Sequence, residues 1–131
     1  MSSSARWSDL APRILSGLAM AVLGAGAVWT GGWVFDALIC VLAALMMWEA
    51  ARMFDCRFAV PLGVGAGVAI GLVLILPATA VIAVSVALSL VAAGFATRDR
   101  PLMAIFAFWI LLGCYATAHL RDAAGLDWMV W

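Results

Sequence analysis

Charged residues are scarce in this chain: they make up 11% of its 131 residues, against 68% hydrophobic. A soluble domain carries roughly a quarter charged residues. A small domain also leaves much of its surface in water. So little charge excludes an ordinary water-soluble fold and makes lipid the solvent. Lysine is missing altogether, so the 7 basic residues are all arginine, balanced by 7 acidic ones. With no basic patch, nucleic acid is excluded as a partner. Cysteines are few and far apart: Cys40, Cys56 and Cys114, with no Cys-x-x-Cys. That pattern excludes a disulfide framework and a zinc site and reads as buried or lipid-facing thiols.

What is present is a series of long uncharged runs. Residues 2–13 are polar and form an amino-terminal segment. Ile14 to Thr30 then carries no charge, about 25 Å of helix against a hydrocarbon core of about 30 Å. Arg13, this run and Ala25-Gly26-Ala27 also resemble a signal peptide with its cleavage site. The run is long for that, and further apolar segments follow, so a membrane helix is the better reading. Gly31-Gly32 breaks it. A second helix is expected over 33–52, with Trp33 and Trp48 near its ends, where interfacial tryptophan is favoured. The run from Ala59 to Thr97 is uncharged and would be about 58 Å long as one helix, nearly twice the bilayer core. Pro77 is the strong breaker within it, which gives helices over 61–76 and 78–97. Arg98-Asp99-Arg100-Pro101 reads as a loop, and a fifth helix is expected over 102–119. Arg121, Asp122 and Asp127 flank the next turn around Gly125. Trp128 to Trp131 reads as the start of a sixth helix.

The expected fold is all-α: a polytopic transmembrane helical bundle over residues 14–131, with five spans plus the start of a sixth. Alternating the sides places Arg6, Arg13, Arg52, Arg57, Arg98 and Arg100 together and Arg121 alone on the other side. The positive-inside rule then puts the amino terminus in the cytoplasm.

Few motifs carry chemistry. Gly63-x-Gly65-x-Gly67 is not a phosphate loop, because such a loop needs a preceding strand and must open toward water. Gly63, Gly67 and Gly71 recur every four residues instead, which suits close helix packing; Gly17 and Gly24 in the first helix suit the same use. Glu49 and Arg52 stand three apart, so they share a helix face and are expected to pair. They form either an interfacial ion pair or a site facing a lipid headgroup. Asp36 is placed to cap or orient the start of the second helix. His119 and Arg121 read as headgroup anchors, and one histidine alone makes no metal site. No paired carboxylates at useful depth, no Ser-His-Asp set and no metal cluster are visible.

Taken in order, these features resemble a known family. Arg13-Ile14-Leu15-Ser16-Gly17 opens the first helix and Gly31-Gly32-Trp33 makes the first turn. Trp48-Glu49-Ala50-Ala51-Arg52 closes the second helix. Leu120-Arg121 ends the fifth, and Gly125 with Trp128 opens another apolar run. Over about residues 10 to 131 the chain resembles the amino-terminal half of the bacterial phosphatidate cytidylyltransferases (CDP-diacylglycerol synthases). The resemblance implies a multi-pass enzyme of the bacterial inner membrane. It joins CTP and phosphatidic acid to give CDP-diacylglycerol and pyrophosphate, with a divalent cation, magnesium. The family's catalytic and metal-binding residues lie in its carboxyl-terminal half. No catalytic, cofactor-binding or metal residue can therefore be carried over to this chain, which is expected to be inactive alone. Arg13, Glu49, Arg52 and Arg121 match recurring charged positions whose implied role is structural or lipid-facing. A homo-oligomer is compatible with this reading. The alternative is a small non-catalytic membrane subunit that packs against partner helices. A transporter fragment is disfavoured, because no ionisable residue falls at mid-membrane depth.

Overall fold

The computed structural model describes residues 4–125, with side chains from residue 12 onward except at position 78. The described residues form five α-helices and no strand: α1 Ser4–Thr30, α2 Gly32–Met53, α3 Ala59–Ile75, α4 Ala78–Phe95 and α5 Arg100–Ala124. The expected helix start at 128–131 lies outside the described residues. Three helical stretches are long and apolar enough to cross a membrane: Pro12–Thr30, Gly32–Met53 and Arg100–Ala124. Helices α3 and α4, of 17 and 18 residues, are about 26 Å long.

The connections follow from backbone chemistry. Between α1 and α2, Gly31 and Gly32 take φ of 63° and 53°, in the left-handed region that favours glycine. Leu76 is pushed into extended geometry, φ −94° and ψ 160°, as expected for a residue before proline. This ends α3 where the break at Pro77 was expected. Asp55 and Asp99 take φ of 50° and 47° in the two connections 54–58 and 96–99. Aspartate tolerates this region better than most residues.

Several boundaries differ from expectation. Helix α1 begins at Ser4 rather than Ile14, so the polar amino-terminal segment is helical and Pro12 lies inside the helix. Helix α5 begins at Arg100, ahead of the expected 102. Pro101 sits in its first turn, where a missing N–H is not needed. Its other end runs on through Arg121 and Asp122 to Ala124, past the turn expected there. A basic residue in the last turn suits the negative end of the helix dipole.

Helix α2 is the hub. It packs chiefly on α3, then on α5, and α4 packs on α5. Its buried stripe is Phe35, Ile39, Ala43, Met47 and Ala50, the three-to-four spacing of one helix face. On α5 the matching stripe is Met103, Ala107, Leu111, Cys114 and Ala118. Helix α4 presents small buried residues, Ser85, Ser89 and Ala92, followed by its buried C-cap Ala96, and the Ser89 hydroxyl bonds back to the Ser85 carbonyl.

The α2–α3 seam is closed by glycine. A Cβ on Gly63 would lie 2.7 Å from the Ala44 carbonyl oxygen and 2.9 Å from Trp48 Cβ. One on Gly67 would lie 2.9 Å from the Cys40 carbonyl oxygen. The four-residue glycine repeat therefore serves close packing, as its spacing suggested. Gly17 and Gly24 do not share that use: a Cβ on either would meet nothing within 4 Å. Helix α1 packs chiefly on α2, and between Pro12 and Thr30 only Ala27 is fully buried.

Candidate functional site

Two hydrogen bonds fix which helix ends lie together. The Thr97 hydroxyl donates to the Asp55 carbonyl at 3.0 Å, so connections 54–58 and 96–99 share one end of the molecule. Arg121 Nε donates to the Val28 carbonyl at 3.1 Å, so the last turn of α5 lies against the α1–α2 turn at the opposite end.

The first end carries Arg52, Arg57, Arg98 and Arg100. Aromatic pairs hold its connections down: Phe54 tilts against Phe106 with ring centroids 5.9 Å apart, and Phe58 meets Phe95 edge-on at 5.3 Å. Arg100 Nε donates to the Ala96 carbonyl at 3.1 Å. Cys56 is buried in the turn, and its amide donates to the Ala51 carbonyl at 2.8 Å. Burial, with the Asp55 carboxylate adding to it, pushes the Cys56 thiol above its ordinary pKa. The thiolate is correspondingly scarce at neutral pH.

Glu49 and Arg52 both lie exposed on the last turns of α2, and with Met53 they line a shallow depression of about 350 Å3. They do not pair as expected. Among the described residues the salt bridge is Arg98–Asp99, at 3.5 Å. The Arg52 guanidinium instead lies over the Trp48 ring, 5.0 Å from its centroid. At the helix surface residues i and i+4 are neighbours as i and i+3 are, and tryptophan offers a cation the best aromatic face.

Arg121, expected in a structural or lipid-facing role, reaches back to the first turn. Its guanidinium fills the space over Gly31, where a Cβ would lie 2.2 Å from Nη2. The arginine closes a turn within the chain. Asp36 does not cap α2, whose N-cap is Gly31 with no side-chain cap hydrogen bond. Asp36 Oδ1 is buried without a hydrogen-bond partner among the described residues. His119 is exposed and stacks on Tyr115, with rings 9° from parallel and centroids 5.5 Å apart. Arg13 is exposed on α1, well away from the Gly31 turn.

The structure thus brings Glu49 and Arg52 together at one end of α2, puts Arg121 at the other end of the molecule, and leaves Arg13 apart from both. The reach of Arg121 to Gly31 was missed in the sequence. The signal was there: a glycine pair at a turn, with one arginine isolated from the other six on the same side as that turn. Among the described residues, no group of three or more His, Cys, Asp or Glu side chains could hold a metal ion.

Comparison with family models, with curated proteins and with solved structures finds no match to this chain.

Proposed function

We propose that the chain is the membrane portion of a phosphatidate cytidylyltransferase, crossing the bacterial inner membrane with all five helices. The arginine-rich end faces the cytoplasm. The observation that carries the reading is the ordered set of motifs on the helix ends. In particular, Trp48-Glu49-Ala50-Ala51-Arg52 closes α2 with Glu49 and Arg52 exposed at what would be headgroup depth. On this reading phosphatidic acid approaches in the bilayer, while CTP and magnesium are held by residues that this chain does not contain. Transfer of a nucleotidyl group needs a metal or equivalent positive charge on the phosphates and a positioned nucleophile. The chain alone is therefore inactive.

The test is a chimera. Fused in frame to the carboxyl-terminal half of a bacterial phosphatidate cytidylyltransferase, the chain should restore CDP-diacylglycerol synthesis from CTP and phosphatidic acid in membranes. Membranes holding the unfused chain should stay at the empty-vector level. A chimera that inserts and folds but makes no product, or an active unfused chain, overturns the reading.

A second reading is favoured by one observation. Gly17, Gly24 and Gly26 of α1 face open space, which suits a non-catalytic subunit or a homo-oligomer in which this helix meets another.

A further inference from the structure

On α2, Met46, Glu49 and Met53 are spaced at i, i+3 and i+7 and so share one face. Beside this face an apolar groove of about 360 Å3 runs between α2 and α5, lined by Met46, Ile105, Phe106, Trp109 and Ile110. On the other flank of α2, a groove of about 250 Å3 runs along α3, lined by Ala44, Leu45, Trp48, Val60, Gly63 and Val64. Between the two, at the arginine-rich end, lies the polar depression of Glu49, Arg52 and Met53. The glycine seam is what lets Trp48 and Val64 border a groove at all, because Gly63 adds no side chain between them.

We propose that this saddle over α2 holds one diacyl aminophospholipid of the phosphatidylethanolamine class as a resident lipid. Its phosphate is bound by Arg52 and its ammonium by Glu49, with one acyl chain in each groove. Charge complementarity selects the occupant. Arg52 is exposed, lies over Trp48 and makes no salt bridge to Glu49 among the described residues, so among those residues its N–H donors are open to a phosphate. Glu49, three residues away, repels a purely anionic headgroup and accepts from a primary ammonium. A zwitterion with three N–H donors satisfies both charges. A quaternary ammonium cannot donate, and a glycerol headgroup lacks the positive charge. The grooves begin a turn or two inside the charged pair and run toward mid-molecule, as acyl chains hanging from a headgroup would. The inference rests on the membrane reading and sidedness above, but not on the cytidylyl-transfer reading.

The experiment is native mass spectrometry of the full chain in detergent. It is offered phosphatidylethanolamine, phosphatidylglycerol, phosphatidylcholine and phosphatidic acid with identical acyl chains at equal concentration. Phosphatidylethanolamine should be retained in preference to the other three. Arg52→Gln should lower its retention about fivefold, the worth of one charge contact at a membrane surface, while Arg52→Lys keeps most of it. Glu49→Gln should abolish the preference over phosphatidylglycerol without lowering total phospholipid bound. Both positions are exposed, so unchanged melting of the variants shows that the fold survives. Equal retention of all four lipids, variants that bind like the parent, or a preference for phosphatidylglycerol or phosphatidylcholine overturns the proposal. A preference for phosphatidic acid also overturns it, while leaving the cytidylyltransferase reading standing. Failure of the chimera above has no bearing on which lipid is retained.

Discussion

Helices α1 and α3 are both rich in glycine, and they use it in opposite ways. On α3, Gly63 and Gly67 lie against the backbone of α2 so closely that an added Cβ would come within 3 Å of a carbonyl oxygen. On α1, Gly17, Gly24 and Gly26 have nothing within 4 Å of such a Cβ. The lesson is that small residues permit close approach but do not cause it. Both α2 and α3 also bury larger side chains, Ile39 and Met47 on α2 and Leu62 and Ile70 on α3. Helix α1 offers Ala27 alone in its described part, and its large side chains Leu15, Leu18, Val22 and Leu23 point outward.

The sharpest way to break this contrast is Gly63→Ala. The backbone of α2 would have to shift, and overpacking of this kind costs about 1–3 kcal/mol. The expected result is a lower unfolding midpoint in detergent, followed by tryptophan fluorescence, with Gly67→Ala behaving alike. An unchanged midpoint would mean that the seam is looser than described.

Next in size is Gly31→Ala. An L-residue at this positive φ costs about 1–2 kcal/mol, and the methyl group would also displace Arg121. The double variant Gly31→Ala/Arg121→Ala should recover the second part of the loss but not the first. A cycle measured by the same unfolding assay should therefore show coupling between positions 31 and 121, and strict additivity would rule out the contact.

The smallest effect is expected on α1. Gly17→Ala and Gly24→Ala should change the stability of the isolated chain by less than about 1 kcal/mol, in the direction of better helix propensity. If the subunit reading holds, the same substitutions should weaken association with a partner helix. A large loss of stability in the isolated chain would show α1 packed more tightly than its open glycines indicate.

The apolar runs, the break at Pro77 and the glycine seam were legible in the sequence, because each rests on local chain geometry or on a repeat along one helix face. The ends of α1 and α5 were not. A polar stretch does not stop a helix that is already formed, and neither Pro12 nor Pro101 marks a boundary once the turn around it is helical. The pairing of Glu49 with Arg52 was misjudged because Trp48, also within reach, competes for the same guanidinium. The role of Arg121 was hidden for a different reason: its acceptor is 93 positions away in the chain, and no local pattern announces a backbone carbonyl as a partner.

That separation has a consequence for biogenesis. Synthesis runs from α1 to α5, and domains form from the amino-terminal side as the chain emerges. The Val28 carbonyl and the bare face of Gly31 are therefore made long before the guanidinium that covers them. Until the last turn of α5 arrives, water at the surface must serve that carbonyl, and α1 is held by little besides its contact with α2. Helix α5 thus works as a latch on α1. It sets the angle of the first helix after α2, α3 and α4 have been made, and a ribosome stalled before residue 121 would leave α1 free to swing.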